Sequence, residues 1–458
     1  MMKRLLAVVL CMSLTLSAGV LPAACATGNV TIPAEVQAEF DRLISIGAGD
    51  ILDQFLMSQT EEIRQALMAA EEEKYNVPTV SQELPENGTC GQGLSWDLTA
   101  DGTLTIRGEG QMDFYTQDRP APWYGGREII RQVVLEEGVT SVGQRAFLDC
   151  TALEAVTFPE TLERIDEEGF RNCAALQTIQ LPGSVMSIGW YAFAGCTALT
   201  WIQMPGTVEY LGGFAFAGCT RLNTVAIPSS VKDLEVGTFR GCTSLVDVAL
   251  NEDLETIGSY AFYGCTSLRS ADIPAGVTEI PELAFYGCTG LKFVNLPLNL
   301  EAIGAEAFAG CTGLGGLSIP GSVCTIGDGA FRDCASLTSL MIPEGVTEIG
   351  NYLFRGCSKL TAVVIPETVE TIGRYAFSRC AKMERVQIPA SVAKIGSGAF
   401  ADCGMWSVTF LGGAPVIAAN AFENVQASAF YPQSAEGWNR KTIAQYGGSL
   451  TWEAISIN

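Results

Sequence analysis

Histidine is missing from all 458 residues. Its absence removes the commonest general base near neutral pH and the commonest nitrogen ligand for a metal. Positive charge is scarce as well: 27 lysines and arginines stand against 50 aspartates and glutamates, a formal net charge of −23. A surface that acidic repels a phosphate backbone, which excludes nucleic acid as an expected partner. No C-x-x-C pair offers zinc spacing. Long apolar runs are absent except at the start, where Leu5–Val20 falls short of the roughly 20 residues a membrane helix needs. No membrane span, no cofactor and no metal are therefore expected. Carboxylates alone can still run glycoside hydrolysis, so the missing histidine does not by itself dispose of an enzyme.

The start of the chain reads as an export leader over residues 1–26. Met1–Arg4 is a short basic stretch, Leu5–Val20 is apolar, and Ala24-Cys25-Ala26 supplies small residues for cleavage. Two routes stay open: cleavage after Ala26, or lipid attachment at Cys25. The second rests on Leu21-Pro22-Ala23-Ala24-Cys25, which resembles a bacterial lipobox except at Pro22. Either route places the protein outside the cytoplasm, free or at the cell surface. Residues 27–83 then carry a helical pattern, with Val36, Phe40 and Leu43 on one face and Ser58 and Glu61 spaced as a capping box. A dimerisation segment, a stalk and a small packing element are all readings of it.

Residues 84–135 change period. Leu94, Trp96 and Leu98 alternate with polar residues, Asp101-Gly102 has the chemistry of a two-residue turn, and Leu104 and Ile106 alternate again. This predicts a hairpin, and with it a β-rich cap on the region C-terminal to it.

That region is one line written many times. Twelve cysteines from Cys150 to Cys403 are spaced by 23 residues, each with a phenylalanine three positions earlier, from Phe147 to Phe400. A fixed period of that size marks a solenoid, here an α/β-type array of about twelve repeats over residues 136–410 with a parallel strand face. In Leu360-Thr361-Ala362-Val363-Val364-Ile365-Pro366 the alternation of Val363 and Ile365 predicts an inward-facing strand that proline ends. Twelve such strands are expected on one face. Val369 and Ile372 form a second inward segment, Gly373 is expected to turn the chain, and Ala376-Phe377 to carry a compact helical turn. The spacing slips by one after Cys403, so that Phe422 comes 22 residues after Phe400, and residues 411–458 are read as a C-terminal cap. The ladder cysteines are expected to be reduced and buried, small apolar groups whose S–H donates weakly to the backbone.

The unit A-F-x-G-C-T-x-L-x-x-V-x-I-P-x-x-V-x-x-I-G resembles the BspA-like leucine-rich repeats of bacterial surface proteins. The lead-in Gly88-Thr89-Cys90-Gly91, Trp96-Asp97-Leu98 and Ala121-Pro122-Trp123-Tyr124 resembles the segment that often precedes those repeats. The resemblance implies the leucine-rich repeat fold, export, and binding of host proteins or other cells. It supplies no catalytic residues.

Candidate site residues come from the columns flanking the central valine of each strand, which point outward. Most positions there are small or polar. Trp201 and Phe293 are not, and exposed aromatics anchor interfaces. Trp201 has Gln180, Gln203 and Thr224 around it, and Asn295 lies two residues beyond Phe293. Trp190 and Tyr191 mark an alternative surface on the opposite side. Asp247 and Asp272, one rung apart, have the separation of a glycosidase pair, but the unbroken 23-residue spacing leaves no insertion to build a pocket. The sequence thus predicts a non-enzymatic, adhesin-like binding protein whose strand face takes a protein or a glycan. An envelope spacer and a carbohydrate-active enzyme are the alternatives.

Overall fold

The computed structural model describes residues 86–456 and, before them, Val36 alone. The leader 1–26, Cys25 and, apart from Val36, the segment 27–83 lie outside the described residues. Residues from 86 onward belong to one unit, Leu84–Asn458. It is the expected solenoid, held together by three backbone ladders.

The first ladder is the strand face, from Ala155–Thr157 to Ser407–Phe410, whose strands pair in parallel mostly as couples, with each residue of a couple opposite its counterpart one repeat on, as Trp201 is opposite Thr178 and Ile202 opposite Ile179. The second is built from two-residue strands such as Ser187–Ile188, which lies between Arg164–Ile165 and Tyr210–Leu211. The third runs along the A-F-x-G-C turns. There the N–H of Arg145, Phe147 and Asp149 donate to the carbonyls of Glu167, Gly169 and Arg171 at 2.8–2.9 Å. The helical turn expected at Ala376-Phe377 is instead a run of tight turns, closed by Cys380 N–H to the Phe377 carbonyl at 3.1 Å. The alternate residues that would close a helix point their N–H at the next repeat instead.

Between the ladders lies a single core. Thirteen phenylalanine rings, from Phe147 through Phe400 to Phe422, stack in one column with centroids 5.0–5.8 Å apart. Beside it, each cysteine from Cys173 to Cys403 donates its S–H to the carbonyl of the preceding repeat's phenylalanine at 3.0–3.2 Å. No disulfide joins the described cysteines, and burial pushes thiols such as Cys196, Cys288 and Cys334 up to about 12, with the Asp333 charge adding to the rise at Cys334. Serine and threonine hydroxyls add a further thread: Ser230 donates to the carbonyls of Gly206 and Val208, and Ser322 to those of Leu298 and Leu300.

The glycines of the repeat do two jobs. The position before each cysteine is left-handed throughout, from Asp149 (φ 60°) through Gly264 (φ 70°) to Asp402 (φ 60°), so glycine, asparagine and aspartate recur there. Gly373 is different. It does not turn the chain through a left-handed angle, and a Cβ there would come within 2.8 Å of the Asn351 nitrogen. At Gly373, and at most repeats of that column, glycine stands where adjacent repeats approach closely, although Asp166, Glu235 and Pro281 show that three repeats accommodate a side chain there.

Further strands and rings lie at both ends of the array. Strands Asn87–Gly91, Leu94–Leu98 and Thr103–Gly108 form an antiparallel meander whose last strand pairs in parallel with Gln132–Leu135, and so joins the strand face. The hairpin is there, but its loop is longer than the two residues expected. Leu98 pairs with Leu104, and Gly102 N–H closes the turn on the Thr99 carbonyl at 3.0 Å. Trp123 continues the ring column past Phe147 at 5.7 Å and donates its indole N–H to the Ala146 carbonyl at 2.7 Å. At the other end Ser407–Phe410, Gln426–Pro432 and Ser449–Ile455 continue the parallel face. Trp438 and Trp452 pack on Phe410 there, at 5.0 and 5.7 Å.

One expected strand is missing. Eleven of the twelve repeats form the face strand, while residues 315–318 form none. That rung reads Gly313-Leu314-Gly315-Gly316-Leu317-Ser318, and glycine there has neither the side chain to pack on a neighbouring strand nor any conformational bias toward extension.

Two measurements check this packing. Of the fourteen described cysteines only Cys324 is exposed, so alkylation of native protein at pH 8, mapped by peptide mass spectrometry, should label Cys324 among them, with the other thirteen reacting only after denaturation. Early labelling across the ladder would contradict the buried thiols. The two glycine classes should also separate in urea unfolding. A Cβ at Gly327 would lie 2.4 Å from the Ala305 nitrogen, so Gly327→Ala should destabilise by about 1–3 kcal/mol. Gly316 has nothing within 4 Å, so Gly316→Ala should stabilise by about 0.4–1 kcal/mol. Equal effects would refute the distinction.

Candidate binding surface

The exposed face is assembled one rung at a time, since alternation sends the central residue of each strand inward and its two neighbours outward. Thr178, Gln180, Trp201 and Gln203 lie on one paired couple of strands, with Trp201 opposite Thr178 and Gln203 opposite Gln180. All four are exposed, the indole at 42%. Thr224 opens the next strand, which pairs onward with Asp247–Ala249 rather than back toward Trp201. Phe293 and Asn295 sit four rungs further along, roughly 19 Å at the usual strand spacing, opposite Ser270 and Asp272. The six candidates read from the sequence therefore occupy two places and not one.

Phe293 is the barer of the two aromatics, at 68% exposed. Asn295 beside it is engaged, its amide donating to Asp272. That contact also defines the carboxylate pair with glycosidase-like separation: Asp247 and Asp272 are both exposed, and Asp272 holds an asparagine. The carboxyls that burial does push upward, Asp166, Glu167 and Glu235, sit just after the two-residue strands and not on this face.

Two large apolar residues of the outward columns gain their meaning only from the structure. Met341 and Val364 are direct partners on adjacent strands, exposed at 70% and 59%. Between them and Phe293 lies the rung without a strand, where Gly315 and Gly316 present no side chain at all. The outward positions of that rung are Gly316 and Ser318, so Phe293 in one column and the Met341–Val364 couple in the other are three exposed apolar side chains within four repeats. Three large apolar residues within four repeats of the outward columns were the available signal; each, taken alone, is ordinary for a surface.

The alternative surface near Trp190 and Tyr191 is occupied by the protein itself. Tyr191 is buried and stacks on Phe214 at 5.0 Å, with the Arg171 guanidinium 5.5 Å from its ring. The Trp190 ring covers Gly213, where a Cβ would meet it at 2.8 Å, and its N–H donates to the Tyr210 hydroxyl at 2.7 Å.

Comparison with known proteins agrees with this architecture. The BspA type leucine rich repeat region matches in six copies, over residues 124–242, 214–323 and 301–428. A leucine-rich repeat protein from Bacteroides ovatus is similar at 23% identity and a TM-score of 0.57, covering 82% of this chain and all of that one. A leucine-rich repeat protein from Eubacterium ventriosum matches at 21% identity and a TM-score of 0.40, covering 69% of this chain and 94% of that one. A leucine rich cell surface protein from Faecalibacterium prausnitzii matches at 24% identity and a TM-score of 0.39, covering 73% and 96%. At 23% identity the likeness to the Bacteroides ovatus protein is one of fold. No curated protein matches the chain.

Proposed function

The chain belongs to the BspA-type leucine-rich repeat family, and from that premise we propose that it is an exported, surface-associated, adhesin-like binding protein that docks a protein partner on its strand face. The observation that carries this reading is the set of exposed apolar side chains Phe293, Met341 and Val364 within four repeats of the face. Flat surfaces with apolar residues and no enclosing walls suit a protein interface better than a small molecule, which needs a cleft to bury most of its area. The columns on either side are small or polar, as an interface rim is. Trp201, with the exposed Gln180, Gln203 and Thr224 near it, is a second anchor on the same face. The leader at 1–26 supports export, with Cys25 as the attachment point if the leader is that of a lipoprotein. No reaction is assigned to the face.

Phe293→Asp and Met341→Asp, introduced separately, should each weaken a partner by about 1–3 kcal/mol and leave the melting temperature within a degree or two of wild type. Trp201→Ala should do the same if the partner spans both anchors. Screening the wild-type chain and the variants on arrays of surface and matrix proteins, then measuring affinity by biolayer interferometry, tests this. Undiminished affinity in both aspartate variants would place the docking surface elsewhere.

A further inference from the structure

Trp406, just before the C-terminal cap, stands apart from the two tryptophans of that cap. Trp438 and Trp452 are half-buried, pack on Phe410, and donate their N–H groups to the carbonyls of Gly412 and Ala444 at 3.1 and 2.9 Å. Trp406 is 56% exposed, and among the described residues its ring meets no other ring and its N–H no acceptor. Nothing in the packing of the cap calls for an indole there.

It forms one wall of a groove of about 550 Å3, whose other walls are the outward residues at the start of strands Gln426–Pro432 and Ser449–Ile455. Gln426, Ser428, Ser449 and Thr451 line it. Their side-chain amide and hydroxyl groups make no hydrogen bond to the described residues, so all four are available. Gln445 is not: its amide donates to the Leu450 carbonyl at 3.1 Å and accepts the Leu450 N–H at 2.6 Å, which fixes the far wall. No lining residue carries a charge, although the chain as a whole carries −23.

We propose that this groove is a binding site for a neutral carbohydrate. An indole face stacks on the C–H face of a pyranose ring, and a row of free amide and hydroxyl groups matches the donor and acceptor pattern of sugar hydroxyls. An anionic ligand finds no counter-charge here, and an apolar peptide side chain finds mostly polar walls. The site lies two rungs beyond Val364 and is separate from the apolar residues proposed to dock a protein, so either can be lost without the other.

Native affinity electrophoresis of the full chain tests it, in gels holding laminarin, galactomannan, xyloglucan or yeast mannan, with polygalacturonate as the anionic comparison. At least one neutral polysaccharide should retard the wild type. Trp406→Ala should raise the dissociation constant roughly tenfold or more, and Gln426→Ala several-fold. Phe293→Asp should leave retardation unchanged, which separates this site from the docking face. Circular dichroism melts of each variant exclude misfolding, and Gln426→Ala decides the matter if Trp406→Ala melts early. Retardation by polygalacturonate only, no retardation by any neutral polysaccharide, or full retardation of a folded Trp406→Ala or Gln426→Ala chain would overturn the proposal.

Discussion

Stacking of identical rings at the repeat spacing is the constraint on which every other feature of the array depends. A phenylalanine every 23 residues is useful only if its neighbours arrive 5.0–5.8 Å away, and that requires every repeat to return the chain to the same place. The sulfur beside the column obeys the same rule. Its S–H reaches back one repeat to a phenylalanine carbonyl, a geometry that demands a small side chain with a donor. The left-handed position before each cysteine and the glycine pressed against the preceding repeat are both consequences of closing such a short turn. No repeat can do this alone, since each buries its ring and its valines, leucines and isoleucines between two others. The end repeats therefore need Trp123 on one side and the Phe410, Trp438 and Trp452 cluster on the other.

Because the interior is spoken for, the exterior is left free to vary. Outward positions of the strand face are mostly exposed, and their sequence wanders from Asp247 to Trp201 to Met341 without disturbing a rung. Function in this architecture is written as an arrangement of side chains along a fixed lattice. Its addresses are therefore rungs and columns, and a docking face and a separate groove can share one solenoid without sharing a residue.

Most of the fold was legible because a strict period is hard to mistake. The strand, the second segment and the buried thiols come from it directly. What escaped was local. Gly373 reads as a turn because glycine usually marks one, while its real cause is the approach of Asn351, a residue 22 positions away that only a structure places. The rung at 315–318 fits the period yet loses its strand, since periodicity records which positions face inward and not whether the backbone between them prefers to extend. The hairpin at Asp101-Gly102 is right in kind and wrong in loop length, because Thr99 as well as Gly102 takes part in the turn. Trp201 and Phe293 were legible as outward aromatics, but the grouping of Phe293 with Met341 and Val364 needed the exposure of each and the pairing of the last two. Trp406 was invisible as a site. Its partners Gln426, Ser428, Ser449 and Thr451 come from two later strands, outside the periodic columns.

The claim that rungs hold one another through the ring column is tested most directly by hydrogen exchange on Phe285→Ala against wild type, read residue by residue along the array. Removing one ring from the middle should lower amide protection in its own repeat and in those of Phe262 and Phe308 on either side, fading with distance toward both caps. Lost protection confined to the repeat of Phe285, with its neighbours unchanged, would contradict the account.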